Sequence, residues 1–375
     1  MYIMKNEHGE RIMRTAINTA AITLLAVVLS KTLLYSFTSM LALKSSIEVK
    51  DYKFSDLYYS VANNSLPKKN SDDIVMFAVD GLSRKEITAL LYDIKAAEPK
   101  TIGVDVVFEY QYDGDSSLIE TTSAPNIVMA EFFATQEDNA IRKSYFCDSN
   151  HLPHGGMVNL EDGVIRNYCM QFQIGDSIYP SFAAEVAKAA GFDIDNQESV
   201  EASIYFPSLD FWILNPDMFI DQYESCAELI KDKIVLVGDT ANRFDLHQTP
   251  IGTMGGLKIH AVILETIILK HNIRNAPTWI SWFIAIISCA IFVGLNIILT
   301  NKKLATGKLL FRLAQILVLY LFFWIGCVLF TKHNLCIDFA PSLSMIAIGL
   351  LAYDIYFGFV ALYKKTINNI KNRNK

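Results

Sequence analysis

The sequence is poor in charged residues and lacks the short motifs of common catalytic sites. Only 19% of its 375 residues are charged, whereas 52% are hydrophobic and the mean hydropathy is +0.26. This composition is too apolar for an ordinary soluble enzyme. There is no Gly-x-Gly-x-x-Gly after the first predicted strand, no Walker A sequence, no Gly-x-Ser-x-Gly and no His-Glu-x-x-His. We therefore expect a protein that is not an enzyme, with no catalytic residues and no cofactor.

Cysteine is also scarce, and its spacing has no metal-binding pattern. Cys289 and Cys327 lie in apolar segments, and the others are Cys147, Cys169, Cys226 and Cys336. None of them belongs to a Cys-x-x-Cys pair, so cysteine predicts no metal site. The sequence leaves open whether all six are isolated thiols or whether one disulfide joins two of the outer four. Spacing alone does not show which sulfur atoms meet.

Four long apolar segments are present, at residues 15–37, 279–300, 309–331 and 343–363. Each has about 20 residues, which at about 1.5 Å per residue is enough to cross a hydrocarbon core of about 30 Å. Lys31 interrupts the first segment, and no small-x-small cleavage site follows it. This favours a retained anchor over a removed signal peptide. The sequence therefore predicts one transmembrane helix before a polar middle region and three after it.

The basic residues predict how these segments are oriented. They cluster between the second and third segments (Lys302, Lys303, Lys308, Arg312) and after the fourth (Lys364, Lys365, Lys371, Arg373, Lys375), whereas loop 332–342 has a single lysine. Cytoplasmic loops are enriched in lysine and arginine. We therefore expect a cytoplasmic N-terminal tail (1–14), a basic cytoplasmic C-terminal tail (364–375) and an outer middle region (44–277).

The middle region is acidic. Residues 44–277 carry a net charge of −16, whereas the rest of the chain carries +10. Binding to nucleic acid requires a basic face, so this charge argues against nucleic acid as a partner.

Within this region, predicted strands alternate with predicted helices. The strands are expected at 74–79, 101–108, 126–131, 164–174, 203–206 and 233–237, and the helices at 83–97, 181–190, 221–229 and 257–270. Ser83 followed by Glu86 is a capping box that favours the first helix start. An amphipathic helix is expected at 52–61. The pattern predicts an α/β domain with a largely parallel or mixed sheet.

Carboxylates and histidines lie near the ends of several predicted strands. They are Asp80, Asp105, Glu109, Asp239, Asp245, His247 and His260. The carboxyl ends of parallel strands share one edge of a sheet, where ligands tend to bind. These residues therefore predict a site for a hard cation or for a cationic or hydroxylated ligand. The alternative is that Asp80 and Asp239 cap helices or tighten turns and the others are solvated. We expect His260 to be a buried, hydrogen-bonded residue, and glycine-rich residues 252–256 offer a weaker anion-binding possibility.

The chain resembles the type-two CHASE domain family in several stretches that occur in order. KIVLVGDTA at 233–241, then Asp245, Thr249-Pro250 and GLKIHA at 256–261, is similar to the closing signature of that family. Further stretches are similar to its opening strand, second strand, hairpin and middle helix: IVMFAVDGLS at 74–83, TIGVDVVFE at 101–109, GMVNLEDGVIR at 156–166 and PSF at 180–182.

The resemblance implies an extracytoplasmic sensor domain of bacterial cyclases and kinases, held in the cytoplasmic membrane by one helix before it and usually three after it. A cytoplasmic output domain normally follows in that family. Only residues 364–375 follow the last apolar segment here. We therefore expect a stand-alone form that binds an outer ligand and signals to a membrane or cytoplasmic partner in trans, with a homodimer as a possible state. The alternative function is an envelope scaffold that senses no ligand.

Asp354 is the one carboxylate within the last apolar segment. It lies about 16 Å beyond Leu343, close to the middle of the hydrocarbon core. A charge there costs at least about 2.5 kcal/mol. We expect a transmembrane contact in which Asp354 faces the bundle interior and bonds Asn296, Tyr353 or a basic residue of another protein. The alternative is a protonated side chain that is merely tolerated.

Overall fold

The structure is a computed structural model, and it describes most of the chain. The described residues are 2–44, 53–65, 69–133, 141–147, 154–157, 163–174, 176–194, 202–206, 209–241, 245–271, 273–301 and 305–373. Lys302 and Lys303 of the predicted cytoplasmic loop lie outside them, as do residues 242–244 of the loop before Asp245.

The helices, numbered in chain order, are α1 (Tyr2–Lys44), α2 (Asp56–Ser65), α3 (Arg84–Ala96), α4 (Ser116–Thr122), α5 (Phe182–Ala189), α6 (Pro216–Asp221), α7 (Tyr223–Ile230), α8 (Gly256–Ile268), α9 (Thr278–Asn301), α10 (Ala305–His333) and α11 (Ala340–Arg373). The strands are β1 (Lys69–Ala78), β2 (Thr101–Asp105), β3 (Ile127–Phe133), β4 (Ile141–Arg142), β5 (His154–Met157), β6 (Asn167–Tyr168), β7 (Gln171–Ile174), β8 (Ser177–Pro180), β9 (Ala202–Ser203), β10 (Leu209–Leu214), β11 (Ile234–Gly238), β12 (Leu246–Thr249), β13 (Gly252–Gly255), β14 (Arg274–Asn275) and β15 (Leu335–Cys336).

These elements form two compact units. The helical unit comprises Met1–Tyr58 and Asn275–Lys375, and the α/β unit comprises Tyr59–Arg274.

The helical unit contains four helices that are long and apolar enough to cross a membrane. Their candidate spans are Gly9–Thr32, Thr278–Thr300, Leu309–His333 and Ala340–Asn372. One precedes the α/β unit in the chain and three follow it, which confirms the predicted number and order. The first candidate span begins and ends several residues before the predicted segment 15–37.

Three of these helices share one core, formed by α1, α9 and α11. Ile22, Cys289 and Met345, one from each helix, are fully buried in it. Polar side chains also join the helices, since the Tyr356 hydroxyl group lies 3.0 Å from Asn18 Oδ1. Such bonds within apolar surroundings fix how the helices pack.

The α/β unit is built on a mostly parallel sheet with strand order β10-β1-β11-β2-β3-β4, and β5 pairs with β3. Its central strand β11 is buried along its whole length, as expected for an apolar, β-branched run in a parallel sheet. The pairings β10–β1, β1–β11, β11–β2 and β2–β3 are parallel, whereas β4 is antiparallel to β3. This confirms the predicted α/β class.

Helices cover both faces of this sheet. On one face Val75, Phe77 and Val235 join Leu91 of α3 and Ile230 of α7 in one buried cluster. The opposite face of the sheet packs against α5 and α8.

Gly103 of β2 permits the close approach of α5 to that opposite face. A Cβ atom at Gly103 would lie 3.0 Å from Phe182 Cζ and 2.8 Å from Leu236 Cδ2, which is closer than van der Waals contact allows. Gly103 is therefore needed for the packing of α5 on the sheet.

Several predicted boundaries are wrong. Strand β2 ends at Asp105 and not at 108, and the predicted strand 164–174 is instead the short β6 followed by the hairpin β7–β8. The predicted helix 221–229 corresponds to α7 (Tyr223–Ile230). The short α6 before it was not predicted, and it starts at Pro216, where the Asn215 side chain accepts a hydrogen bond of 2.7 Å from Met218 N. Strand β10 was missed, since its apolar run is short and periodicity does not separate it from a helix.

The capping box is confirmed. The Ser83 side chain accepts from Glu86 N, and the Glu86 side chain accepts from Ser83 N. No disulfide joins any of the six cysteines, all of which lie among the described residues, so the alternative of a disulfide between two of the outer four is not observed.

Candidate functional site

The carboxyl ends of three neighbouring strands meet at one edge of the sheet. The register pairs Ala78 of β1 with Gly238 of β11, and Gly238 with Asp105 of β2. The loops that carry Asp80 and Asp239 follow the first two strands directly. The sheet therefore brings these three carboxylates to the same edge, as the sequence predicted.

Asp80 holds the loop after β11 in place. Its carboxylate accepts hydrogen bonds from Thr240 N at 2.9 Å, from Thr240 Oγ1 at 2.7 Å and from Ala241 N at 2.6 Å. Asp239 Oδ1 accepts a further bond of 3.2 Å from Ala241 N. These bonds use the acceptors of Asp80 within the protein, so Asp80 and Asp239 fit the turn-stabilising alternative better than ligand binding.

Replacing Asp80 should therefore lower stability. We expect Asp80→Ala to reduce the free energy of unfolding by about 2 kcal/mol, because hydrogen bonds to a charged acceptor contribute about 1.5–3 kcal/mol. Thermal denaturation of the purified protein measures the change. Asp113→Ala, at an exposed loop position, is the matched control and should change stability little. Equal melting temperatures for the two variants would contradict the structural role of Asp80.

Asp245 lies at the N-terminus of α8. Its Oδ2 atom accepts a hydrogen bond of 3.0 Å from Gly256 N, and its Oδ1 atom lies 3.1 Å from His247 Nε2. A carboxylate at this helix end is favoured by the free N–H groups and the helix dipole. An anion at residues 252–256 would meet this carboxylate, so the possibility of an anion-binding site there is not supported.

Asp105 is the carboxylate of this edge with a strongly perturbed proton affinity. Burial, and then the negative charge of Asp245, raise its pKa to about 7. Among the described residues no hydrogen bond to the Asp105 side chain is found. Its oxygen atoms therefore remain available as acceptors at the edge of the sheet.

His260 lies on the first turns of α8 and is neutral at physiological pH. Burial lowers its pKa to about 4, with a further lowering by His247 and an opposing effect of Asp245. Its ring packs edge-on against Phe182, with 5.3 Å between the ring centroids. His260 is partly buried and not fully buried. The contact described for its side chain is this packing against Phe182 and not the expected hydrogen bond.

Four of the seven predicted residues therefore form one cluster around Asp245, which we call the edge site: Asp105, Asp245, His247 and His260. Asp80 and Asp239 support it from the adjoining loops. Glu109 is exposed, four residues beyond the end of β2, and is not part of the cluster. In the part of the chain that the structure describes, no three Asp, Glu, His or Cys side chains are arranged to hold a metal ion.

A concave surface, which the sequence did not indicate, lies between α3 and α4. This groove of about 1050 Å³ is lined by side chains that include Arg84, Tyr112 and Asp115. Arg84 bonds the Asp115 carboxylate at 2.7 Å and stacks over the Tyr112 ring at 4.4 Å. Arg84 and Asp115 are 31 positions apart and belong to no motif, so no sequence signal predicted their contact.

Asp354 lies on the outer surface of the helical bundle. Its side chain is exposed on α11, and no hydrogen bond joins it to Asn296 or Tyr353. The expectation that it faces the bundle interior is therefore wrong.

Comparison with known proteins gives one family. The family model described as the CHASE2 domain matches residues 39–297, which is more than half of the chain. No curated protein matches, and no solved structure matches.

Proposed function

The chain belongs to the CHASE2 domain family, and on this premise we propose that it is a membrane-anchored sensor whose α/β unit binds an organic ligand at the edge site and signals to a partner protein in trans. CHASE2 is a sensory domain, and the four long apolar helices place the chain in a membrane context. A sensory family is compatible with the expected lack of enzymatic activity.

The observation that carries the ligand proposal is Asp105. It is a partly buried carboxylate at the carboxyl edge of a parallel sheet, which is the usual ligand position in such folds. Carboxyl groups with strongly perturbed pKa values mark functional positions more often than ordinary surface carboxylates do. Its neighbour Asp245 adds a second acceptor, so the site favours ligands rich in hydrogen-bond donors.

The ligand class follows from these acceptors. An ammonium or hydroxyl group donates to carboxylates and to a neutral imidazole, whereas an anion is repelled by Asp245. The lack of a three-residue metal cluster among the described residues favours an organic ligand over a metal ion. A cationic ligand would also stabilise the charged form of Asp105, so its affinity should rise with pH.

Ethanolamine, which carries both donor groups, is a suitable first probe. We expect it to raise the melting temperature of the purified protein more at pH 8 than at pH 5.5, because Asp105, with a pKa of about 7, is ionised only at the higher pH. Asp105→Asn should abolish the rise, whereas the surface control Asp113→Asn should retain it. An equal rise in Asp105→Asn would place the binding elsewhere.

We further propose that the protein lies in a bacterial cytoplasmic membrane with both termini inside and the α/β unit outside. The lysines and arginines of segments 301–312 and 364–375 support this orientation.

Cysteine labelling tests the orientation. Ser117→Cys, at an exposed position of α4, should react with an impermeant thiol reagent in cells whose outer envelope is permeabilised. Asn369→Cys, exposed near the end of α11, should react only after membrane disruption, and the unsubstituted protein gives the background. The reverse pattern would refute the proposed orientation.

The second candidate function is an envelope scaffold, and exposed apolar residues favour it. Trp212 and Ile213 on the edge strand β10 are 47% and 48% exposed, and Ile220 on α6 is 68% exposed. Exposed apolar groups on an edge strand can bind another protein. Two results together would support the scaffold function instead. Ethanolamine would not raise the melting temperature of the unsubstituted protein, and Trp212→Ser would remove proteins that co-purify with it.

A further inference from the structure

Asp354 presents an ionisable group on the outside of the helical bundle. It lies near the middle of the apolar part of α11, about 16 Å from Leu343 and about 14 Å from Tyr363. Its side chain is exposed, whereas Ala352 and Leu350 close by on the helix are buried. A carboxyl group at this depth therefore faces lipid unless something outside the described helices covers it.

Lipid is a poor environment for this group. Ionisable side chains within membrane spans almost always face a protein interior, a water-filled cavity or a partner group. A carboxyl group in hydrocarbon lacks hydrogen-bond partners, and each unmade bond carries a large desolvation cost. The position of Asp354 thus indicates a protein surface that is buried against another membrane helix.

The other exposed residues of this helix segment indicate the geometry of that contact. Between 347 and 358, the exposed residues of α11 are Ala347, Leu351, Asp354 and Gly358. Their spacing of four, three and four residues is the spacing of the contact seam in a left-handed helix pair. Two of the four are small, which permits close approach of a second helix backbone.

We propose that this seam is the contact between two copies of the chain, which pair through α11 with their Asp354 side chains facing each other. Two copies with the same membrane orientation place Asp354 at the same depth by symmetry. A protonated carboxyl group donates one hydrogen bond and accepts others, so two facing carboxyl groups satisfy each other without a cation. The basic residues of the candidate spans, such as Lys31 and Arg312, lie near span ends and are less well placed to reach this depth.

Disulfide cross-linking in native membranes tests the contact. Leu351→Cys, at a position 56% exposed in the seam, should give a covalent dimer on mild oxidation. Leu317→Cys, at a position 58% exposed on α10, is the matched lipid-facing control and should give little dimer. Equal dimer yields from the two variants, or none from Leu351→Cys, would overturn the proposal.

Substitution of Asp354 separates this contact from one with a basic helix of another protein. In the Leu351→Cys background, Asp354→Asn should retain the dimer, because two amide groups also bond reciprocally. Asp354→Leu should reduce the dimer yield at least about fivefold while leaving insertion unchanged. An undiminished yield in Asp354→Leu would overturn the proposal. A second outcome would also overturn the proposal: the unsubstituted chain is a monomer when native mass spectrometry is applied to protein extracted in mild detergent, and no cross-linked dimer forms in membranes. A different protein would then be the partner that covers the seam.

Discussion

At pH 8, Asp105→Asn should unfold at a higher temperature than the unsubstituted protein. The folded protein holds the pKa of Asp105 at about 7, whereas an unfolded chain has a value near 3.9. Ionisation is therefore less favourable in the folded state, and stability is lost as pH rises from about 4 to about 7. Asparagine has no charge to bury, so we expect a gain of about 2 kcal/mol at pH 8 after allowance for partial exposure, or about 5 °C.

His260 should have the opposite pH dependence. Its pKa is about 4 in the folded protein and 6.5 ordinarily, so the unfolded chain binds more protons between these values. Stability from the neutral histidine is therefore present above pH 6.5 and is lost as pH falls towards 4. The two effects oppose each other in the unsubstituted protein, so each partly cancels the contribution of the other to the pH dependence of stability between pH 4 and 6.5.

Thermal denaturation of single variants separates the two groups. In Asp105→Asn only the effect of His260 remains, so stability should rise as pH increases from 4 to 6.5. In His260→Gln only the effect of Asp105 remains, so stability should fall over the same range. The exposed control Asp113→Asn should follow the unsubstituted protein at every pH. A gain in Asp105→Asn of the same size at pH 5 and pH 8 would show that the charge of Asp105 is not its source.

Gly256→Ala should destabilise the edge site strongly. A Cβ atom at Gly256 would lie only 2.6 Å from Asp245 Oδ1 and 2.8 Å from Asp245 Cγ, so the carboxylate must leave the N-terminus of α8. The loss of this helix cap and the steric clash should together lower the free energy of unfolding by about 2–3 kcal/mol. Chemical denaturation of the purified protein measures this change.

The neighbouring glycine supplies a matched control. A Cβ atom at Gly255 would meet Thr240 O at 3.7 Å, an ordinary contact, so Gly255→Ala should be tolerated. In the double variant Asp245→Ala/Gly256→Ala the clash is removed, and the second substitution should cost much less than it does alone. If the two substitutions are additive instead, Asp245 is not the group that excludes a side chain at Gly256.

Local sequence patterns determined the helices and strands that depend mainly on residues close together in the chain. The four apolar helices follow from segment length and composition, and the start of α3 follows from Ser83 and Glu86 three positions apart. The buried run of β11 indicated a parallel sheet. Since residues that follow parallel strands meet at one edge, the sequence also placed Asp80, Asp105 and Asp239 together correctly.

Only the tertiary structure decided what each of these side chains does. Asp80 and Asp105 both occur near strand ends, yet Asp80 accepts hydrogen bonds from Thr240 and Ala241, 160 positions or more along the chain, whereas Asp105 is left near Asp245. Asp354 similarly lies in an apolar helix whose pattern does not show which side faces the bundle. Hydrogen-bond partners and helix faces depend on contacts between residues distant in sequence, and the packing of the folded chain alone determines those contacts.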